Sequence, residues 1–187
     1  MNAFATSVCT DCPASYEAWS NASSQLTAEL EAIDIIPYQP RYKEDFKRLN
    51  LEWITYYFVV EPLDIDLLSE PEKYFLQPGG AIFFAKPTAC EEVVGTCALL
   101  KHPDRGFELS KMGVTRLYRG MHIGQRLAQT ALAHVKALGE KRLFLETNTK
   151  LLPAVMLYKK LGFIAQPFPG GRSERYNRAD TYMVLEW

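Results

Sequence analysis

A chain of 187 residues, 48% of them hydrophobic and 12% aromatic, is the size of one domain and carries enough apolar surface for a full core. Its 21 basic and 22 acidic residues leave a formal net charge of −1, without the basic excess that drives sequence-independent nucleic-acid binding. No apolar run nears the ~20 residues that span a bilayer, and the amino terminus has no basic start followed by a hydrophobic stretch. The expectation is a cytoplasmic protein with neither nucleic acid nor membrane as partner.

Residues 1–31 are rich in Ala, Ser and Thr with little apolar periodicity, and read as an N-terminal extension to one domain over 32–187. Within that extension Cys9 and Cys12 form a C-x-x-C pair. A zinc ribbon needs a second pair at similar spacing, and Cys90 and Cys97 do not supply it, so no metal is expected.

A strand candidate over Ile33–Ile36 stops at Pro37 and Pro40, and Phe46, Leu49 and Trp53 then recur at helical spacing, predicting a helix over 41–54. A second helical region holds Leu63, Ile65, Leu67 and Leu68 and ends in the Pro78-Gly79-Gly80 turn. Three strands follow, at 81–85, 93–100 and 107–114, separated by short polar turns that imply an antiparallel meander. After Val114 the period changes: Ile123, Leu127, Ala131, Val135 and Leu138 form an amphipathic stripe closed by Gly139. A strand at 142–147, a helix from Pro153 to Leu161 stopped by Gly162, and strands near Phe163 and over 181–186 complete the chain. These elements describe an α/β fold of the α+β type, a mixed, mostly antiparallel central sheet flanked by helices.

Between the third long strand and the amphipathic helix lies Val114-Thr115-Arg116-Leu117-Tyr118-Arg119-Gly120-Met121-His122-Ile123-Gly124. A loop running into a helix amino terminus offers free backbone N–H groups and the positive end of the helix dipole to an anion. Gly120 and Gly124 remove side chains where a ligand approaches the backbone, and Arg119 adds a charge-assisted contact. Such glycines alone are also ordinary turn chemistry; their context, with Leu157-Tyr158-Lys159-Lys160-Leu161-Gly162-Phe163 further on, narrows the reading.

At these residues the chain resembles the Gcn5-related N-acetyltransferase (GNAT) superfamily. Arg119 to Gly124 is similar to its pyrophosphate motif R/Q-x-x-G-x-G/A, and Leu157 to Phe163 to its LY-x-K-x-GF ending; the resemblance covers 33–187. It departs at His122, where the motif has its middle Gly, and at Leu151, where many members carry an Asn seven residues before the Tyr.

The resemblance implies a GNAT-like acyl-CoA acyltransferase fold and transfer of an acetyl group from acetyl-CoA to a primary amine of a small molecule, peptide or protein, by direct attack in a ternary complex. Met112, Gly113 and Val114 match the strand edge that pairs with the pantetheine arm beside a bulge, and Gly113 is compatible with a local distortion there. Arg119, Gly120, Met121, His122, Ile123, Gly124 and Gln125 match the pyrophosphate cradle, with Asn148 standing in for the Asn that Leu151 replaces. Tyr158 matches the donor to the departing thiolate, and Glu108 the general base, acting directly or through water. Trp53, Tyr56, Tyr57 and Phe58 fall where the family builds its acceptor pocket, and Glu61, Asp64 or Glu146 could pair with a cationic amine. For each of these residues plain packing or surface solvation is the competing role. A non-catalytic module that senses acetyl-CoA is the alternative function, and a homodimer is compatible with either.

Overall fold

A computed structural model describes residues 32–187. The extension over 1–31 and the Cys9/Cys12 pair lie outside the described residues. Strand β1 (Ile33–Pro37) and a 3-10 turn at Pro40–Tyr42 lead into helix α1 (Lys43–Tyr57), followed by α2 (Pro62–Ser69) and a π turn over Glu72–Leu76. Strands β2 (Ala81–Pro87), β3 (Gly95–His102) and β4 (Gly106–Val114) form the meander. Then come α3 (Ile123–Ala137), β5 (Arg142–Thr147), α4 (Leu152–Lys160), β6 (Ile164–Gln166) and β7 (Thr181–Glu186).

The seven strands lie in the order β1-β2-β3-β4-β5-β7-β6. All neighbours are antiparallel except β4 and β5, which α3 links as a crossover. Both faces are covered, so β3 reads as a continuous apolar run whose side chains alternate between two cores. Cys97 and Leu99 pack with Ile123, Leu127, Ala131 and Val135 of α3. Ala98 and Leu100 pack with Phe46, Leu49 and Ile54 of α1, with Leu67 and Leu68 of α2, and with Phe75 of the π turn. Full burial of Ile123, Leu127 and Val135 is worth about 1.5–3 kcal/mol each. Leu138, the last residue of the predicted stripe, is exposed as the C-cap of α3, because the helix ends one residue earlier.

Two departures from regular pairing shape the molecule. First, β4 and β5 pair only at Phe107–Leu143 and Glu108–Phe144, and beyond them the two strands separate. Second, the β3–β4 register slips between Thr96 and Ala98: Thr96 faces Gly113, whereas Ala98 faces Ser110, so β4 carries one extra residue. The bulge turns on Lys111, which has φ of +48°, and not on Gly113. Gly113 is needed for close packing instead. A Cβ there would lie 2.9 Å from Trp53 Cδ1 and 3.0 Å from the Leu49 carbonyl oxygen, so α1 can cross β4 at this point only over a glycine.

Candidate active site

Where β4 and β5 part, a cleft of about 800 Å³ opens, lined by β4 from Glu108 to Val114, by the end of β5 and by α4. Its apex is Glu108, the last paired residue of β4, and its wide end meets the start of α3. Met112, Gly113 and Val114 form one wall, Asn148 and Tyr158 lie on the other, and Arg119, Gly120 and His122 to Gln125 close the α3 end. Trp53, Tyr57, Phe58 and Glu146 also line it, so nearly all of the residues singled out in the sequence share one cavity. Four do not reach it: Glu61 and Asp64, described below, and Tyr56 and Met121. Tyr56, 75% exposed, sits one helical step from Tyr57 and so on the outward side of α1, and Met121, 39% exposed, stands outside the lining at the loop before α3.

At the α3 end the backbone N–H groups of residues 120–125 donate to no protein acceptor among the described residues; the first regular helical bond is from Arg126 to the His122 carbonyl. Neither a capping side chain nor an acidic residue in the first turn competes for them. The helix start therefore presents a run of free donors and its dipole to the cleft. His122 achieves this by adopting the left-handed conformation, φ +58° and ψ +10°, at a cost of about 1–2 kcal/mol relative to a glycine. Arg119 braces the loop: its Nε donates to the Val114 carbonyl at 2.9 Å and its guanidinium meets Glu52 at 3.2 Å, the same carboxylate that accepts the Arg116 N–H.

Tyr158 projects from α4, is 7% exposed and packs its ring on Phe163 at 5.9 Å. Its hydroxyl has no protein partner among the described residues. Burial raises its pKa well above the usual phenol range, so it is a standing hydrogen-bond donor.

The apex holds a charged network. Glu108 is buried, and one oxygen, Oε2, takes His102 Nε2 at 2.8 Å and Arg175 Nη1 at 2.5 Å; Oε1 is left without a protein partner among the described residues. Burial pushes its pKa up, but the His102 bond and the Arg175 charge outweigh this and hold it below the ordinary carboxylate value. Glu146 is held by Ser173 Oγ at 2.5 Å with Arg105 at 3.7 Å. The Asn148 amide donates to the Arg178 carbonyl, and its oxygen accepts the Lys150 N–H at 2.8 Å, which fixes the turn into α4.

Asp64 and Glu61 are committed to side chains and backbone of this chain and do not line the cleft. Asp64 is fully buried, receiving Lys111 Nζ at 2.5 Å and the two terminal guanidinium nitrogens of Arg178, Nη1 and Nη2, at 2.6 and 2.8 Å. Glu61 accepts the backbone N–H groups of Asn177 and Arg178 as well as the Arg178 side chain at 3.3 Å. Together they fasten the segment before β7 across the cleft. Burial acts to raise the Asp64 pKa, but Arg178 and Lys111 overcome it and bring it from 3.8 to about 2. A depressed carboxylate contributes stability that is complete above its unfolded pKa and is lost as pH falls through the folded one, here about 2 kcal/mol. Urea unfolding from about pH 5 down to pH 2 should show that loss in the native chain and not in Asp64→Asn; equal slopes in both would place its source elsewhere.

The family model for the GNAT acetyltransferases matches residues 44–163. The chain belongs to the GNAT acetyltransferase family. A mycothiol acetyltransferase of Corynebacterium glutamicum is 34% identical over 73 residues, 39% of this chain and 25% of that protein. The chain thus spans about a quarter of the length of the first curated relatives it matches. The crystal structure of a GNAT-family acetyltransferase from Staphylococcus aureus overlays with a TM-score of 0.74 at 24% identity, covering 83% of this chain and 99% of that one. An acetyltransferase from Bacillus subtilis in complex with CoA overlays with a TM-score of 0.61 at 19% identity, covering 83% and 99%.

Within this GNAT frame, several residues of the cleft, and two that hold Glu108 from behind its lining, have no counterpart among the residues singled out in the sequence. His102 was recoverable, because the hairpin register opposes Leu100 to Glu108 and so sets His102 diagonally beside it on the same face. Arg175, Tyr176 and Arg178 come from an irregular segment with no periodicity to read, and Lys111 was hidden by the bulge. Among the described residues no three His, Cys, Asp or Glu side chains are grouped to hold a metal ion, and no helix is long and apolar enough to cross a membrane.

Proposed function

We propose that this GNAT protein transfers the acetyl group of acetyl-CoA to a primary amine by direct attack in a ternary complex. The observation that carries the reading is the run of unpaired N–H groups at residues 120–125, opening onto a cleft whose β4 wall has a free backbone edge. That cradle fits a diphosphate: free donors and a helix dipole converge where no carboxylate intrudes. The presence of CoA in the related Bacillus subtilis structure and the naming of the Corynebacterium relative as an acetyltransferase support the same choice.

Acetyl-CoA supplies an activated thioester, and the residues of the chain do the rest. The β4 edge from Met112 to Val114 offers main-chain groups to pair with an extended arm. Tyr158 donates to the leaving sulfur. Glu108, ionised at neutral pH, takes up the amine proton at its free Oε1, directly or through a water, while His102 and Arg175 hold Oε2. A carboxylate held this low is a weak base, so positioning supplies much of the rate.

The test is release of CoA thiol from acetyl-CoA across a broad panel of primary amines, with binding measured in parallel by calorimetry. Amine-dependent thiol release with an N-acetylated product is the expected outcome. Tight binding with no thiol released by any amine would establish the sensor reading instead.

A further inference from the structure

Lys111 is a residue that the mechanism above does not use, and its position in the fold is unusual. In an unbulged β4, the alternation that turns Phe107 and Leu109 toward α3 would send Lys111 and Gly113 there too, and Met112 and Val114 toward α1. The extra residue reverses that parity: Met112 and Val114 pack with the α3 core, and Gly113 meets Trp53 of α1. The reversal depends on Lys111 holding φ of +48°, a conformation that glycine or asparagine adopts far more readily than lysine.

The side chain explains the choice. It is 3% exposed, and its ammonium donates to Asp64 on α2 and to the Tyr176 hydroxyl at 2.8 Å, with the Tyr176 ring 4.7 Å away. Asp64 in turn grips Arg178, so α2, the bulge and the segment before β7 meet at one ion cluster three residues beyond the last β4–β5 pair.

We propose that Lys111 is a positioning residue: clasped by Asp64 and Tyr176, it holds the β4 bulge in its left-handed turn and so keeps the edge from Met112 to Val114 aligned for the acyl-CoA. The proposal rests on the acetyl-transfer reading of the cleft. Burial brings the Lys111 pKa down to about 8 against the opposing pull of Asp64, as expected of an ammonium kept inside by its partners rather than by solvent.

Lys111→Ala removes the clasp and keeps the backbone penalty, whereas Lys111→Gly removes both. The expected result is a fall in kcat of about tenfold or more for Lys111→Ala, with CoA affinity within about threefold of the native value because the cradle is untouched. Lys111→Gly should recover about threefold or more of that kcat. Equal kcat in the two variants, native kcat in Lys111→Ala, or a loss of CoA affinity as large as the loss of kcat would overturn the proposal. If Lys111→Ala does not fold, Tyr176→Phe, which removes one partner of the ammonium, decides the matter: kcat should fall about threefold with CoA affinity retained, and unchanged kcat counts against the clasp. Hydrogen exchange reads the same edge without turnover. CoA should protect the amides of residues 112–114 in the native chain and not in Lys111→Ala, and equal protection in both overturns the proposal. Native protection without thiol release from any amine would sink the transfer reading and leave the clasp standing.

Discussion

Tyr158→Phe should lower kcat by about 10²- to 10⁴-fold while CoA binds as before, the range expected when a proton donor is lost from the reacting centre. The substitution removes one hydroxyl and keeps the ring that packs on Phe163, so fold and cleft shape are conserved. The magnitude follows from the surroundings of the hydroxyl. With no protein partner among the described residues and a pKa raised by burial, it is protonated at every working pH and free to donate. A more acidic thiol needs that donor less, so the defect should shrink when the leaving group is made more acidic. A Phe variant with native turnover on a confirmed amine would reduce Tyr158 to a packing residue and leave solvent as the acid.

Gly124→Leu should weaken CoA binding on the order of 100-fold, equivalent to about 2.7 kcal/mol. A Cβ at this position lies 3.5 Å from Leu157 Cδ2 and 4.0 Å from Val114 Cγ2, which is ordinary contact, so a methyl group is accommodated by the protein itself. The branched end of a leucine has to extend into the space between α3, α4 and β4, and that space is the cleft. Because the obstruction falls on the ligand and not on the core, thermal stability should hold while affinity drops. Calorimetric titration with CoA, set beside a thermal melt, separates the two. Native affinity in the Leu variant would move the diphosphate site away from the α3 start.

The regular parts of this fold were legible because burial writes a period into the sequence. The α3 stripe follows from its spacing of three and four residues, and the strand expected over 142–147 is β5, with those bounds. Helix α1 runs to Tyr57, three residues past its predicted end, because aromatic residues with little helix preference still propagate a helix that packs on β4. Val93 and Val94 are buried but precede β3, so the apolar run there marked the core and not the start of the strand.

The site was legible where backbone chemistry needs particular residues, as in the loop into α3, and obscure where side chains converge from distant segments. Gly113 pointed to a distortion in β4, yet the glycine serves a helix crossing and the distortion lies two residues earlier at a lysine. Asp64 and Glu61 looked like partners for a substrate amine, whereas Arg178, more than 110 residues away, occupies both. Such pairings have no local signature. They depend on a chain reversal that neither hydrophobic period nor turn chemistry records.

The most direct test of the acyl-CoA cleft is a crystal structure of the protein with CoA bound. The diphosphate is expected on the N–H groups of residues 120–125, the pantetheine arm paired with the β4 edge at Met112 to Val114, and the sulfur within hydrogen-bonding reach of the Tyr158 hydroxyl. A diphosphate bound away from the α3 start, or a β4–β5 gap left empty by the ligand, would contradict an acyl-CoA site in this cleft.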